Sequence, residues 1–172
     1  TTRELARMIK QAGIDFASLE DEDFDQVLGL GESTGAAVIF GVTGGVTEAM
    51  LRRFADKHDK ATMDSVAEAG ARGEEGIKEF SVTYQGIPLN VCVASGLANA
   101  RTVMENIKSG KKHYHIVEIM ACRRGCIMGG GQPPRAGNRT KSARSNGLYQ
   151  ADNVTSIRKA DENPLILSLY DG

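Results

Sequence analysis

Tryptophan is absent, and only five phenylalanines and four tyrosines occur among 172 residues. A core must therefore be aliphatic, and the 41% hydrophobic content is enough to build one for a single ordinary domain. Cysteine is scarce as well. Three are present, two of them in C-x3-C spacing, which does not make a disulfide framework. Reduced thiols or metal ligands fit better. No apolar run is long enough to cross a membrane, and no signal-peptide pattern opens the chain. Twenty-one basic residues meet 22 acidic ones for a net charge of −1, so bulk charge implies neither nucleic acid nor a membrane surface as partner. Low-complexity segments and internal repeats are also lacking.

What is present begins with a capping box, Thr1 with Glu4. Leu5, Met8 and Ile9 then share a face, which predicts an amphipathic helix over 2–12 ended by Gly13. An opening of this kind, without Met or leader, is expected inside a longer protein. The acidic stretch Glu20, Asp21, Glu22, Asp23 and Asp25 reads as a solvated loop anchored by Phe16 and Phe24, in preference to a docking site for a basic partner. A glycine-rich run, 29–45, precedes a helix expected from Val46 through Phe54. Such a run can cradle an anion, but it matches neither a Walker A loop nor a dinucleotide fingerprint. His58 lies among Lys and Asp and reads as a surface residue.

Residues 77–84 alternate with period two, Gln85-Gly86 makes a turn, and 87–94 forms a second strand. Cys92, flanked by valines, reads as a small core residue. Leu97, Val103, Met104 and Ile107 mark a helix closed by Gly110. A last strand is expected to open at Lys111-Lys112-His113. His113 and His115 could share one strand face as metal ligands, but neither carboxylate nor cysteine accompanies them at ligand spacing. After Pro133-Pro134 the basic residues Arg135, Arg139, Lys141 and Arg144 read as a solvated tail in preference to a phosphate site. Helices are expected over 142–158 and, with Pro164 in its first turn, over 162–170.

The richest stretch is Glu118-Ile-Met120-Ala-Cys122-Arg-Arg-Gly-Cys126-Ile-Met-Gly129-Gly130-Gly131-Gln-Pro133. A strand runs into a turn bearing two thiols, and glycines follow at once. Thiolates are soft ligands suited to iron–sulfur clusters or zinc. Read as a whole, E-x-M-A-C-x-x-G-C-x-x-G-G-G-Q-P closely resembles the last cysteine signature of the iron-only ([FeFe]) hydrogenases. Ile39-Phe40-Gly41-Val42-Thr43-Gly44-Gly45-Val-Thr-Glu also resembles that family, which usually has Ala where Val42 stands. Val-Ala-Ser-Gly-Leu-Ala-Asn-Ala and the late Asn163-Pro164 extend the resemblance over essentially the whole chain.

The resemblance implies an α/β fold: a small parallel-sheet lobe flanked by helices, the second half of a two-lobed catalytic domain. It implies a cofactor as well, a cubane [4Fe–4S] cluster joined through a cysteine sulfur to a diiron subcluster bearing CO, cyanide and a bridging dithiolate amine (the H-cluster). Within that pattern Cys126 matches the bridging thiolate and Cys122 a terminal ligand. Met120 matches a thioether beside the diiron unit, and Phe40 with Gly41 the wall near its diatomic ligands. Gly129 to Gly131 would allow close backbone approach.

Two earlier family signatures, T-S-C-C-P-x-W and M-P-C-x-x-K, do not occur in these residues. The expectation is that 1–172 supplies the second lobe and carboxyl-terminal helices, while another chain or segment carries the first lobe and the remaining ligands. An electron-transfer partner is implied, a ferredoxin, a cytochrome or an NAD(P)-linked subunit, and a cytoplasmic location is expected with a periplasmic one open. The alternative is a non-catalytic relative of the iron–sulfur assembly or nuclear prelamin-recognition type, which carries a cubane alone.

Overall fold

The structure, a computed structural model, describes residues 1–22, 33–55, 60–73, 76–134 and 138–170. Seven helices lie among them: α1 (Thr2–Gln11), α2 (Gly35–Val38), α3 (Gly45–Phe54), α4 (Lys60–Glu68), α5 (Leu97–Lys108), α6 (Asn138–Val154) and α7 (Pro164–Tyr170). Three strands, β1 (Ile77–Tyr84), β2 (Ile87–Ser95) and β3 (Ile116–Met120), form one sheet in the order β1-β2-β3. The α/β class stands. The sheet, however, is mixed: β2 pairs parallel with β3 and antiparallel with β1. The cause is local. Only Gln85 and Gly86 separate β1 from β2, and a two-residue turn can join antiparallel neighbours alone.

Strand β2 is central, so its second half is buried without interruption from Val91 to Ser95. Cys92, Ala94 and Val103 of α5 pack together there, with Ile77 and Tyr114 beside them. Cys92 is thus the core residue expected, and burial pushes its thiol pKa up. The helix α5 carries the chain back so that β3 runs beside β2, with Ser95 opposite Met120.

A second core cluster unites the glycine-rich stretch with the cysteine loop. Ile39 and Val42 pack against Ile127, and Met128, Leu148 and Tyr149 close around them. Here α3 begins at a tight approach: a Cβ on Gly45 would overlap the Ile39 carbonyl oxygen, which only glycine avoids.

Under this cluster lies an ionic knot that sequence reading did not anticipate. Arg52 is fully buried and donates to Glu48, 2.6 Å, and to both Asp152 oxygens, 2.7 and 2.6 Å. Arg72 donates to Glu48 and stacks 3.9 Å from the Tyr149 ring centroid, while Arg158 donates to Asp152. Burial opposes ionisation of Asp152, but the Arg52 and Arg158 guanidiniums outweigh it and hold its carboxyl below the usual range. Burial also dominates at Tyr149, whose phenol is pushed up to about 12.

Several expectations change. The last strand starts at Ile116, later than His113. His115 instead accepts the Asn90 N–H on its Nδ1, 2.9 Å, and its ring meets His113 edge-on at 5.0 Å. The helix expected over 142–158 runs from Asn138 to Val154, since Gly147 does not interrupt it. Lys141 and Arg144 are not solvated: Lys141 is buried and Arg144 half-buried. Phe16 is 69% exposed and packs into no core among the described residues. Helix α1 has its capping box but buries none of its residues; Leu5 and Met8 are exposed. His58, Phe24 and the acidic residues Asp23 and Asp25 lie outside the described residues.

Candidate metal centre

The end of β3 delivers Glu118, Met120 and the cysteine loop to one edge of the sheet. Glu118 decides how that edge is held. One of its oxygens accepts the Gly44 N–H and the other accepts both the N–H and the hydroxyl of Thr47, all at 2.7 to 2.8 Å. These donors open α3. The anion cradle foreseen in the glycine-rich run is therefore filled by the chain's own carboxylate, favoured by the helix dipole.

The loop that follows is pinned on every side. Gly96 N–H donates to the Met120 carbonyl, 2.8 Å, and Arg124 N–H to the buried Ser95 hydroxyl, 2.7 Å. Gly125 has φ +86°, and a Cβ there would stand 2.8 Å from the Gly41 carbonyl oxygen. Gly41 thus abuts the cysteine loop directly. Gly125 N–H closes the turn on the Cys122 carbonyl, 3.0 Å, before the 3-10 turn Cys126–Met128 begins. From the far side, Arg144 donates to the carbonyls of Ile127, 2.8 Å, and Pro133, 3.1 Å. Of the glycine run, Gly131 accepts from Arg3 N–H and faces Thr1, so it serves the docking of α1.

Cys122 and Cys126 are both exposed and free, and both line an apolar cavity of about 530 Å³. Met120, Glu118, Ile119, Val46 and Met50 also line it. Phe40 is 47% exposed on the short turn Ile39–Gly41 and is not among the lining residues described. Plain core packing therefore does not explain Phe40. Among the described residues, no three or more of His, Cys, Asp and Glu are grouped to hold a metal ion. The His113–His115 pair has no third ligand there. The two exposed thiols are soft donors at an apolar cavity, which suits half of a four-thiolate site. Glu118 and Thr47 were not singled out as site residues beforehand. The available signal was an acid ending an apolar strand in a chain with a glycine-opened helix.

The model of the iron-only hydrogenase large subunit, C-terminal domain, matches residues 1–130. The chain belongs to that family. It is 45% identical over 172 residues to the NADP-reducing hydrogenase subunit HndD of Solidesulfovibrio fructosivorans, covering 99% of this chain and 29% of the relative. It is 45% identical over 165 residues to the periplasmic [Fe] hydrogenase large subunit of Nitratidesulfovibrio vulgaris, 93% and 39% covered. Among solved structures, the [FeFe]-hydrogenase HydA1 of Chlamydomonas reinhardtii superposes with a TM-score of 0.68 at 32% identity, over 99% of this chain and 49% of that one. A weaker similarity, 31% over 144 residues, joins the chain to Protein NAR1 of Arabidopsis thaliana. The chain thus spans less than half the length of these iron-only hydrogenase relatives. Among the described residues no helix is long and apolar enough to cross a membrane.

Proposed function

We propose that this chain forms part of an iron-only hydrogenase that reversibly reduces protons to dihydrogen. Residues 1–172 are read as the second lobe and carboxyl-terminal helices of the catalytic domain, completed by a segment or chain carrying the first lobe. The observation that carries the reading is the pair of exposed thiols, Cys122 and Cys126, on a pinned loop at the rim of an apolar cavity of about 530 Å³.

In this reading Cys122 and Cys126 would hold a [4Fe–4S] cubane, and Cys126 would be the thiolate shared with the diiron subcluster that carries CO, cyanide and the dithiolate amine. Cys92 is buried in the sheet and supplies nothing, so two further cysteines come from the first lobe. The metal centre supplies the electron and hydride chemistry when bound; the chain fixes ligands, excludes water and shapes the cavity. Met120 lines that cavity as the thioether neighbour. Gly41, which abuts the cysteine loop, and the exposed Phe40 are read as the wall near the diatomic ligands, although neither lines the cavity itself. Glu118 keeps the strand end and the start of α3 in register, so both thiols sit on an overdetermined backbone.

A ferredoxin, a cytochrome or an NAD(P)-linked subunit would supply the electrons; one relative is named NADP-reducing. The cytoplasm is the proposed compartment. Since another relative is named periplasmic, cell fractionation decides it.

The similarity to NAR1 supports a second reading, a non-catalytic protein with the cubane alone. One experiment separates the two: an infrared spectrum of the anaerobically purified native assembly, in the window of metal-bound CO and cyanide. Bands are expected, and Cys126→Ala should abolish them. Iron and sulfide without bands would select the cubane-only reading. No iron and no bands would sink both.

A further inference from the structure

Behind the cysteine loop lies a second, polar cavity of about 140 Å³, lined by Val42, Thr43, Gly73, Arg124, Lys141, Ser142, Ser145, Asn146 and Tyr149. Its described lining contains two cations and no carboxylate. Arg124 is the unusual member. Its φ is +71°, one of only two positive values at non-glycine residues among those described. The other, Gln85, sits in the hairpin turn, where such a conformation is ordinary. Arg124 has no comparable excuse: a left-handed arginine costs about 1 kcal/mol or more, and glycine would fit freely. The conformation is enforced by the Ser95 hydroxyl beneath its N–H and by the contact of Gly125 with Gly41. Its consequence is to place Arg124 in the lining of the polar cavity, on the loop that carries both thiols.

One neighbour awaits a partner of the same chemistry. The Thr43 hydroxyl is buried with no hydrogen-bond partner among the described residues, an orphan that normally costs stability. Ser145 and Asn146, on α6, add a hydroxyl and an amide to the lining. A planar fork of charged donors beside neutral donors is the donor set of oxyanion recognition. The volume admits a tetrahedral ion and excludes a nucleotide body.

We propose that this cavity binds a small inorganic oxyanion, phosphate or sulfate, with Arg124 as its principal partner and Thr43, Ser145 and Asn146 as supporting donors. The bound ion would lock the Arg124–Gly125 turn from the face opposite the thiols. The proposal is independent of the function proposed above, since it needs no metal.

The test is calorimetric titration of the full-length protein with inorganic phosphate at constant ionic strength, set beside thermal unfolding with and without phosphate. Saturable binding is expected in wild type. Arg124→Gly should weaken it about tenfold or more, as loss of charge-assisted hydrogen bonds implies. That variant relieves the left-handed strain, so its fold should be as stable as wild type in phosphate-free buffer. Arg124→Lys should recover part of the affinity, and Ser145→Ala should weaken it without unfolding. Phosphate that fails to bind wild type, or that binds Arg124→Gly equally well, overturns the proposal. Equal competition by adenosine monophosphate would overturn the choice of a free ion over a phosphate ester.

Discussion

At the scale of single residues, buried charge matters more here than any one apolar contact. Asp152 is fully buried between Arg52 and Arg158, and removing a partner from such a knot strands the others in a medium that cannot solvate them. Asp152→Asn should therefore cost about 3–5 kcal/mol at neutral pH. The sign of the pH dependence follows from the lowered folded pKa. The contribution is fully present above the unfolded carboxyl value, about 3.9, and disappears as pH falls through the lower folded value. Urea midpoints of wild type and variant should thus converge as pH drops from about 6 to about 2. A gap that stays constant over that range would mean that the charge of Asp152 does not carry its effect.

The same residues show where sequence reading stops. Cys122, Cys126, Met120 and Gly41 could be picked out because their signals are local strings. The knot could not, since Arg52 and Asp152 are 100 positions apart and nothing short-range marks them as partners. Glu48 and Arg52, four residues apart, look like an ordinary surface pair on a helix and are in fact fully buried. Lys78 shares its strand face with Phe80, Val82 and Tyr84, an unexpected place for a charge, and its ammonium is buried, donating to the Thr43 carbonyl at 3.0 Å.

At the scale of elements, periodicity and caps located α1, α3, α5 and the hairpin to within a residue or two. They failed at β3, where the side chain of His115 rather than a ladder bond satisfies the Asn90 N–H, and the strand begins at Ile116, five residues after Lys111. They also misjudged α6. Its basic residues suggested a solvated tail, but Arg144 spans from it to the Ile127 and Pro133 carbonyls and closes the cysteine loop. Hydrogen bonds from a charged donor contribute about 1.5–3 kcal/mol each. Arg144→Ala should then leave global unfolding two-state while loosening the loop locally. The readout is hydrogen exchange at Gly129 and Gln132, whose N–H groups bond the Cys126 and Gly129 carbonyls at 2.9 and 3.0 Å. Exchange there should quicken about tenfold. Unchanged rates would show that the loop is held by its glycine contacts alone.

At the scale of the whole molecule, apolar surface is left open around the candidate centre. Phe40, Val46, Val117 and Ile119 are each more than a third exposed, and Val46, Val117 and Ile119 line the thiol-bearing cavity. The outer face of α1 is apolar as well, with Leu5 and Met8 exposed, and Phe16 lies just beyond. Scattered apolar residues are normal on a protein, but a cluster at a cavity mouth marks a surface built to be covered. The relatives are more than twice as long as this chain, so their remaining residues are the natural cover. Expressed as these 172 residues alone, the protein should bind the dye ANS and self-associate with rising salt, because screening removes charge repulsion while leaving apolar attraction intact. Co-expression with the first-lobe segment proposed above should suppress both. Glu substitutions at Val117 and Ile119 separate the causes. They should lower dye binding by the isolated chain and also block co-purification with that segment. If the isolated chain binds no dye and stays monomeric, the exposed residues are dispersed surface, and the cover must be sought on another face.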